Sequence, residues 1–206
     1  MRLREKTLEL NFCTQFERFV NRPIIWFGLT QAQEAQAGFD ACTRLGAKLL
    51  IFQFKASSYV LRNGARQFVA EHEQMQALRA RCAQGRSLFY VFPMVGTTLE
   101  LTNNPDLIGN TWLLDVADLP NSIPAPTKRG GTPRKNKIHY IDVYDVGFAR
   151  IHSDPFDTRL INASVFAGEE LPDLTGRAGL FGDNFDRFHA FSKFLLRTSK
   201  AAAILP

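Results

Sequence analysis

Residues 48–55, KLLIFQFK, are the most constraining stretch of the chain: an apolar run too short to cross a membrane and too rich in β-formers for a helix. They are expected to form a buried strand. Gly46-Ala47 marks a turn just before it, and residues 39–45 read as a second strand, so the two form a hairpin folding back at Gly46. Gln53 interrupts the apolar pattern, and a polar group within a core strand is costly unless it has a partner, such as a metal ion or its water. Side chains alternate along a strand, so Gln53 and Lys55 share one face and Phe54 takes the other. In this hairpin Asp40 lies opposite the Gln53 region.

Other segments arrange themselves around that hairpin. Residues 3–20 place Leu8, Phe12, Phe16, Phe19 and Val20 at helical spacing and stop before Asn21-Arg22-Pro23, where proline forbids continuation. Residues 24–27, IIWF, suit a short buried strand. A second amphipathic helix is expected over 65–82, with Phe68, His72, Met75, Leu78 and Cys82 on one face, followed by a strand over 87–95. The order is helix, three strands, helix, strand, and the strand–helix–strand crossover makes the flanking strands parallel. The fold class is therefore α/β, a mixed β-sheet core (αβββαβ) flanked by helices. Residues 111–116 and 138–146 are two further strands, extending the sheet or forming its far edge. Residues 147–206 are Phe-rich and irregular, and end in a helix over 184–197 with Phe185, Phe188, Phe191 and Leu195 as its buried stripe. One domain is expected overall: a core over 1–118, a basic flexible loop over 119–137 and a C-terminal extension over 138–206 packed on the core.

With 206 residues, 45% hydrophobic and 22% charged, the composition is that of a folded globular protein and excludes a disordered tail. The N-terminus lacks the apolar stretch and cleavage site of a secretory signal, which points to the cytoplasm and away from the membrane. Three cysteines, Cys13, Cys42 and Cys82, have no CxxC or Cys/His spacing, so reduced buried thiols are expected rather than disulfides or a zinc knuckle. The net charge of +5 favours a polyanionic partner only weakly. Its distribution says more: Lys128, Arg129, Arg134, Lys135 and Lys137 cluster without an acid among prolines and a Gly-Gly pair. This loop is either a phosphate-contacting, nucleic-acid-binding arm or a plain solvated loop.

A carboxylate (Asp40), a carbonyl oxygen (Gln53) and a lysine (Lys55) meeting at one sheet edge suit a hard divalent cation and a water activated toward phosphate, the chemistry of phosphodiester hydrolysis. Over residues 3–95 the chain resembles the PD-(D/E)xK nuclease superfamily, restriction endonuclease-like, in the Mrr-like branch with glutamine in the last motif (QxK). The resemblance implies a nuclease-like core in which Glu9 on the opening helix, Asp40 and Gln53 hold the metal with the Phe54 backbone carbonyl, while Lys55 positions the attacking water. Glu5, one turn before Glu9, competes for the helix position. Glu34 is either an extra ligand from the preceding loop or a solvated acid. The proline that names the superfamily is absent before Asp40, where the sequence reads Ala37-Gly38-Phe39, and the neutral Gln53 oxygen weakens metal affinity relative to glutamate.

The function implied is a Mg²⁺- or Mn²⁺-dependent endonuclease acting on DNA, in restriction, anti-phage defence or DNA repair. RNA stays open as a substrate, since nothing in the sequence reads the sugar hydroxyl. The alternative is a catalytically inactive nuclease-fold module that binds nucleic acid or a partner protein in a defence complex. A homodimer or a complex subunit is compatible with either. His72 reads as a satisfied core histidine, while His139, His152 and His189 lack metal-ligand spacing. Gln74 is loosely similar to second-helix glutamines that face nucleic acid. Tyr140 and Tyr144 share a strand face, for packing or base stacking, and Asp142, Asp145 and Asp154 read as strand and turn acids.

Overall fold

The structure is a computed structural model that describes residues 1–21, 23–30, 34, 39–45, 48–57, 59–82, 88–126, 137–152 and 156–170. In chain order its elements are α1 (Glu5–Val20), β1 (Trp26–Gly28), β2 (Ala41–Leu45), β3 (Lys48–Phe54), β4 (Tyr59–Val60), β5 (Arg66–Glu71), α2 (His72–Arg81), β6 (Leu88–Pro93), α3 (Thr98–Asn103) and β7 (Thr111–Asp115). They continue with β8 (Ile138–Tyr144), β9 (Phe148–Ile151), β10 (Phe156–Arg159) and β11 (Ile161–Asn162), then the short helical turns Ala163–Val165 and Phe166–Glu170. Among the described residues no helix is long and apolar enough to cross a membrane.

The fold is mixed α/β with two sheets. A six-stranded sheet runs in the order β1-β2-β3-β6-β7-β11, and a five-stranded sheet in the order β10-β9-β8-β5-β4. β2 pairs antiparallel with β3 in the register Ala41↔Phe52 and Leu45↔Lys48. As the crossover implies, β3 and β6 are parallel, with Gln53 beside Tyr90 and Phe54 beside Val91. Such a central strand is covered on both faces, so every residue of β6 is buried.

Strand alternation divides the core into two layers. Phe52 and Phe54 face α1 and pack on Phe12 and Phe16, with Phe12–Phe54 ring centroids 5.3 Å apart and Phe16–Phe52 5.9 Å apart. Helix α1 forms because Leu8, Phe12 and Phe16 recur every fourth residue on its buried side. It stops where Asn21 turns left-handed at φ 51° and donates its N–H to the Arg18 carbonyl. On the opposite face, Tyr90 and Phe92 of β6 meet Phe68 of β5, Met75 and Leu78 of α2, and Ile141 and Val143 of β8. The five-stranded sheet and α2 thus cover the side of the first sheet that α1 leaves open.

Two expectations are corrected. The helix expected over 65–82 starts only at His72, because residues 66–71 form β5. Phe68 and Ala70 point into the second core at a period of two, and pairing with β8 (Phe68↔Ile141, Ala70↔His139) supplies hydrogen bonds that outweigh the helix preference of Arg, Gln and Ala. A turn at Gly64, whose φ of +83° suits glycine, joins β4 to β5. Second, the strand at 138–144 does not extend the first sheet but lies beside β5 at the middle of the second. The helix expected over 184–197 lies outside the described residues, as do Lys128, Arg129, Arg134, Lys135, Asp154 and His189.

Phe52 is fully buried and touches the rings of Phe12, Phe16, Trp26, Phe54 and Phe89. Phe52→Ala is expected to lower the stability measured by urea unfolding by about 3–5 kcal/mol, the transfer loss plus the cavity left behind.

Candidate active site

The β2–β3 ladder ends where Asp40 begins. The Asp40 main-chain N–H donates to the Phe52 carbonyl at 3.2 Å, and one carboxylate oxygen, Oδ2, accepts the Phe54 N–H at 2.7 Å. The same oxygen accepts Gln53 Nε2 at 2.7 Å, and that nitrogen lies 3.2 Å from the Phe54 carbonyl oxygen. Gln53 and Phe54 lie on β3 as expected, whereas Asp40, expected on the strand over 39–45, lies just before β2, and the three converge at the C-terminal end of β3.

Lys55 follows directly. It is buried, with its N–H bonded to the Val91 carbonyl at 3.0 Å, and its charge acts on Asp40. Burial pushes the Asp40 carboxyl up to about 7, against the lowering effects of the Phe54 N–H, the Lys55 charge and the Gln53 amide.

Helix α1 delivers its acids differently. Glu5 accepts the Ala56 N–H at 3.3 Å, just past β3, and its charge adds to the upward push on Asp40. Glu9 is buried and both its oxygens bind Lys6, at 2.8 and 2.9 Å. Burial raises the Glu9 pKa and Lys6 opposes that rise. Lys6 also lies 3.7 Å from Glu34, so this ammonium links Glu9 and Glu34, and it is Lys6 itself that feels the Asp40 charge. Glu5 thus reaches the end of β3, while Glu9 and Glu34 are linked to it through Lys6. Only the i, i+3 spacing of Lys6 and Glu9 signals that bridge in the sequence.

The far side of Gln53 meets α2. Its Oε1 accepts Gln74 Nε2 at 3.0 Å, whereas Gln74 Oε1 is buried with no hydrogen-bond partner among the described residues. Tyr90, level with Gln53 on β6, is fully buried, and its hydroxyl likewise has no partner. Burial and the Asp40 charge push the Tyr90 pKa upward. The alternating LFYVFP strand hides Tyr90 among core aromatics, so no sequence signal marks it.

Comparison with family models, with curated proteins and with solved structures finds no match to this chain. The geometry alone supports the site. Among the described residues no group of three or more His, Cys, Asp or Glu side chains is placed to hold a metal ion. Two hard oxygens converge here, from the Asp40 carboxylate and the Phe54 main-chain carbonyl, with the Gln53 carboxamide between them presenting its nitrogen; turned over, that amide would complete a hard oxygen set suited to Mg²⁺ or Mn²⁺.

The remaining sequence candidates lie elsewhere. His72 is a buried core histidine whose Nδ1 meets His139 Nε2 at 2.9 Å, and burial holds His139 down at about 4. Asp142 is buried, accepts Gln67 Nε2 at 2.9 Å and also binds His152, which makes it a structural acid of the second sheet. Tyr144 stacks on Phe148 with ring centroids 4.3 Å apart. Of the basic segment only Lys137 is described; it is exposed, lies 3.4 Å from Glu73, and its carbonyl accepts the His72 N–H. Cys13 and Cys42 are free, and burial pushes both thiols up to about 12.

The Asp40 pKa is raised on folding, from 3.8 to about 7, so its protonated form stabilises the fold below pH 3.8 and that stabilisation is lost as pH rises through about 7. In EDTA, urea unfolding of wild type and Asp40→Asn is expected to show wild type losing stability relative to the variant between pH 4 and pH 8. A pH-independent difference between the two contradicts the assignment.

Proposed function

We propose that the chain is a metal-dependent phosphodiesterase of the restriction endonuclease-like kind, acting on DNA. The observation that carries this reading is the convergence of the Asp40 carboxylate, the Gln53 carboxamide and the Phe54 carbonyl, with the Lys55 charge acting on Asp40. Its agreement with the Asp…QxK pattern of the PD-(D/E)xK resemblance supports the same conclusion.

In this reading Asp40, Gln53 and the Phe54 carbonyl hold Mg²⁺ or Mn²⁺, with Glu5 or Glu9 adding negative charge from α1. A cation there supplies Lewis-acid stabilisation of the charge that develops on a phosphodiester during hydrolysis. The chain's own groups do the rest. The Phe54 N–H holds the Asp40 carboxylate in one orientation, and Lys55 adds positive charge where water and phosphate meet. The basic segment at 128–137 contacts the polymer backbone through charge, without reading its bases. Restriction, anti-phage defence or DNA repair is the corresponding setting.

A second reading is favoured by one observation: the Gln53 nitrogen, not its oxygen, faces Asp40. A carboxylate already satisfied by two N–H donors suits a nuclease-fold module that binds nucleic acid or a partner protein without cutting.

Cleavage of supercoiled, linear and single-stranded DNA, and of RNA, in Mg²⁺, Mn²⁺ or EDTA separates the two. Metal-dependent DNA cutting is expected, abolished by EDTA and reduced at least about a hundredfold by Asp40→Ala and by Lys55→Ala, each first shown to be folded by circular dichroism. A folded wild type that cuts none of these polymers and binds no metal by calorimetry leaves the binding module as the function.

A further inference from the structure

We infer that Gln74 of α2 is a positioning residue that sets which end of the Gln53 carboxamide faces Asp40, and so switches the cation centre between closed and open forms. This rests on the proposed metal site.

A primary carboxamide keeps its shape when turned by half a revolution; only oxygen and nitrogen exchange places. As it stands, Gln53 directs Nε2 at Asp40 Oδ2 and the Phe54 carbonyl, and Oε1 at Gln74. Two acceptors face one donor group, which is the stable arrangement without a cation. A hard cation requires the reverse, with the Gln53 oxygen joining those of Asp40 and Phe54. Turning Gln53 alone would then set its nitrogen against the Gln74 nitrogen, two donors with no acceptor between them. Gln74 must turn as well.

Gln74 is built to allow it. Among the described residues its Oε1 is buried without a partner, and the bond to Gln53 is its amide's one side-chain hydrogen bond. The orientation of Gln74 is therefore set, among the described residues, by Gln53, and reversing both amides keeps the bond between them while breaking no other described hydrogen bond of Gln74. The two glutamines turn as a pair, and whatever pins Gln74 also pins Gln53.

A carboxylate at position 74 accepts hydrogen bonds and donates none, so Gln74→Glu would hold the Gln53 nitrogen on the α2 side and its oxygen toward Asp40. Gln76→Glu adds the same charge to an exposed position of the same helix, away from that bond, and serves as the control. Mn²⁺ binding to the full chain is measured by calorimetry for wild type, Gln74→Glu, Gln76→Glu and Asp40→Ala, each checked for folding. Gln74→Glu is expected to tighten Mn²⁺ binding about tenfold, the worth of one well-placed hydrogen bond, and Gln76→Glu to change it by less than about twofold. Equal effects of the two, or an unchanged or weakened Kd for Gln74→Glu, overturn the switch. If wild type binds Mn²⁺ through Asp40 but Gln74→Glu has no effect, the switch alone fails. If no variant binds Mn²⁺, the metal-site reading fails with it.

Discussion

Asp40 replaces a rung of the β2–β3 ladder with its side chain. Its main-chain N–H closes the ladder on the Phe52 carbonyl, and its carboxylate then takes the Phe54 N–H that no β2 residue reaches. This substitution leaves the Phe54 carbonyl and the Gln53 side chain at one point while drawing a carboxylate into the protein interior. The desolvation that follows holds its proton affinity up, at about 7. Everything proposed for the site depends on that hydrogen bond and on the Gln53 amide that shares the same oxygen, which together hold the carboxylate in place.

The two faces of β3 explain how such a site is supported. Phe52 and Phe54 are fully buried among α1 aromatics, which fixes the strand's rotation and so directs Gln53 to the opposite face. There it meets Gln74 of α2. The same α1 that packs on the phenylalanines brings Glu5 to the Ala56 N–H just beyond the strand. Packing and acid placement are two consequences of one helix lying along β3.

The second sheet carries buried polar groups of its own, and they satisfy one another. The buried Gln67 and Asp142 bond to each other, with Asp142 also binding the exposed His152, and the buried His72 and His139 form another pair. Buried groups paired in this way specify strand register. They contrast with Tyr90 and Gln74 beside Asp40, each of which keeps a buried polar atom without a partner. Trp26 Nε1, in the aromatic layer beneath α1, is buried without a partner as well, so among the described residues such atoms are not confined to the site.

Much of this was legible in the chain. The opening helix, the hairpin, the parallel crossover and the facing of Gln53 away from Phe54 follow from periodicity and turn residues, which are local. The meeting of Asp40 with Gln53 followed from them, since a hairpin register relates residues near in sequence. Beyond that reach the sequence was ambiguous. Residues 66–71 have a helix-forming composition, and they became a strand because β8, more than sixty residues away, offers a hydrogen-bonding edge and an apolar face. The sequence pointed to Glu9 on α1, with Glu5 one turn earlier as the competitor; in the fold Glu5 accepts the Ala56 N–H just past β3 and Glu9 pairs with Lys6. The Gln53–Gln74 bond joins a strand to a helix on another layer, and no spacing encodes it. Local order is written in short-range preferences, whereas side-chain partners across layers exist only once long-range packing has chosen which faces meet.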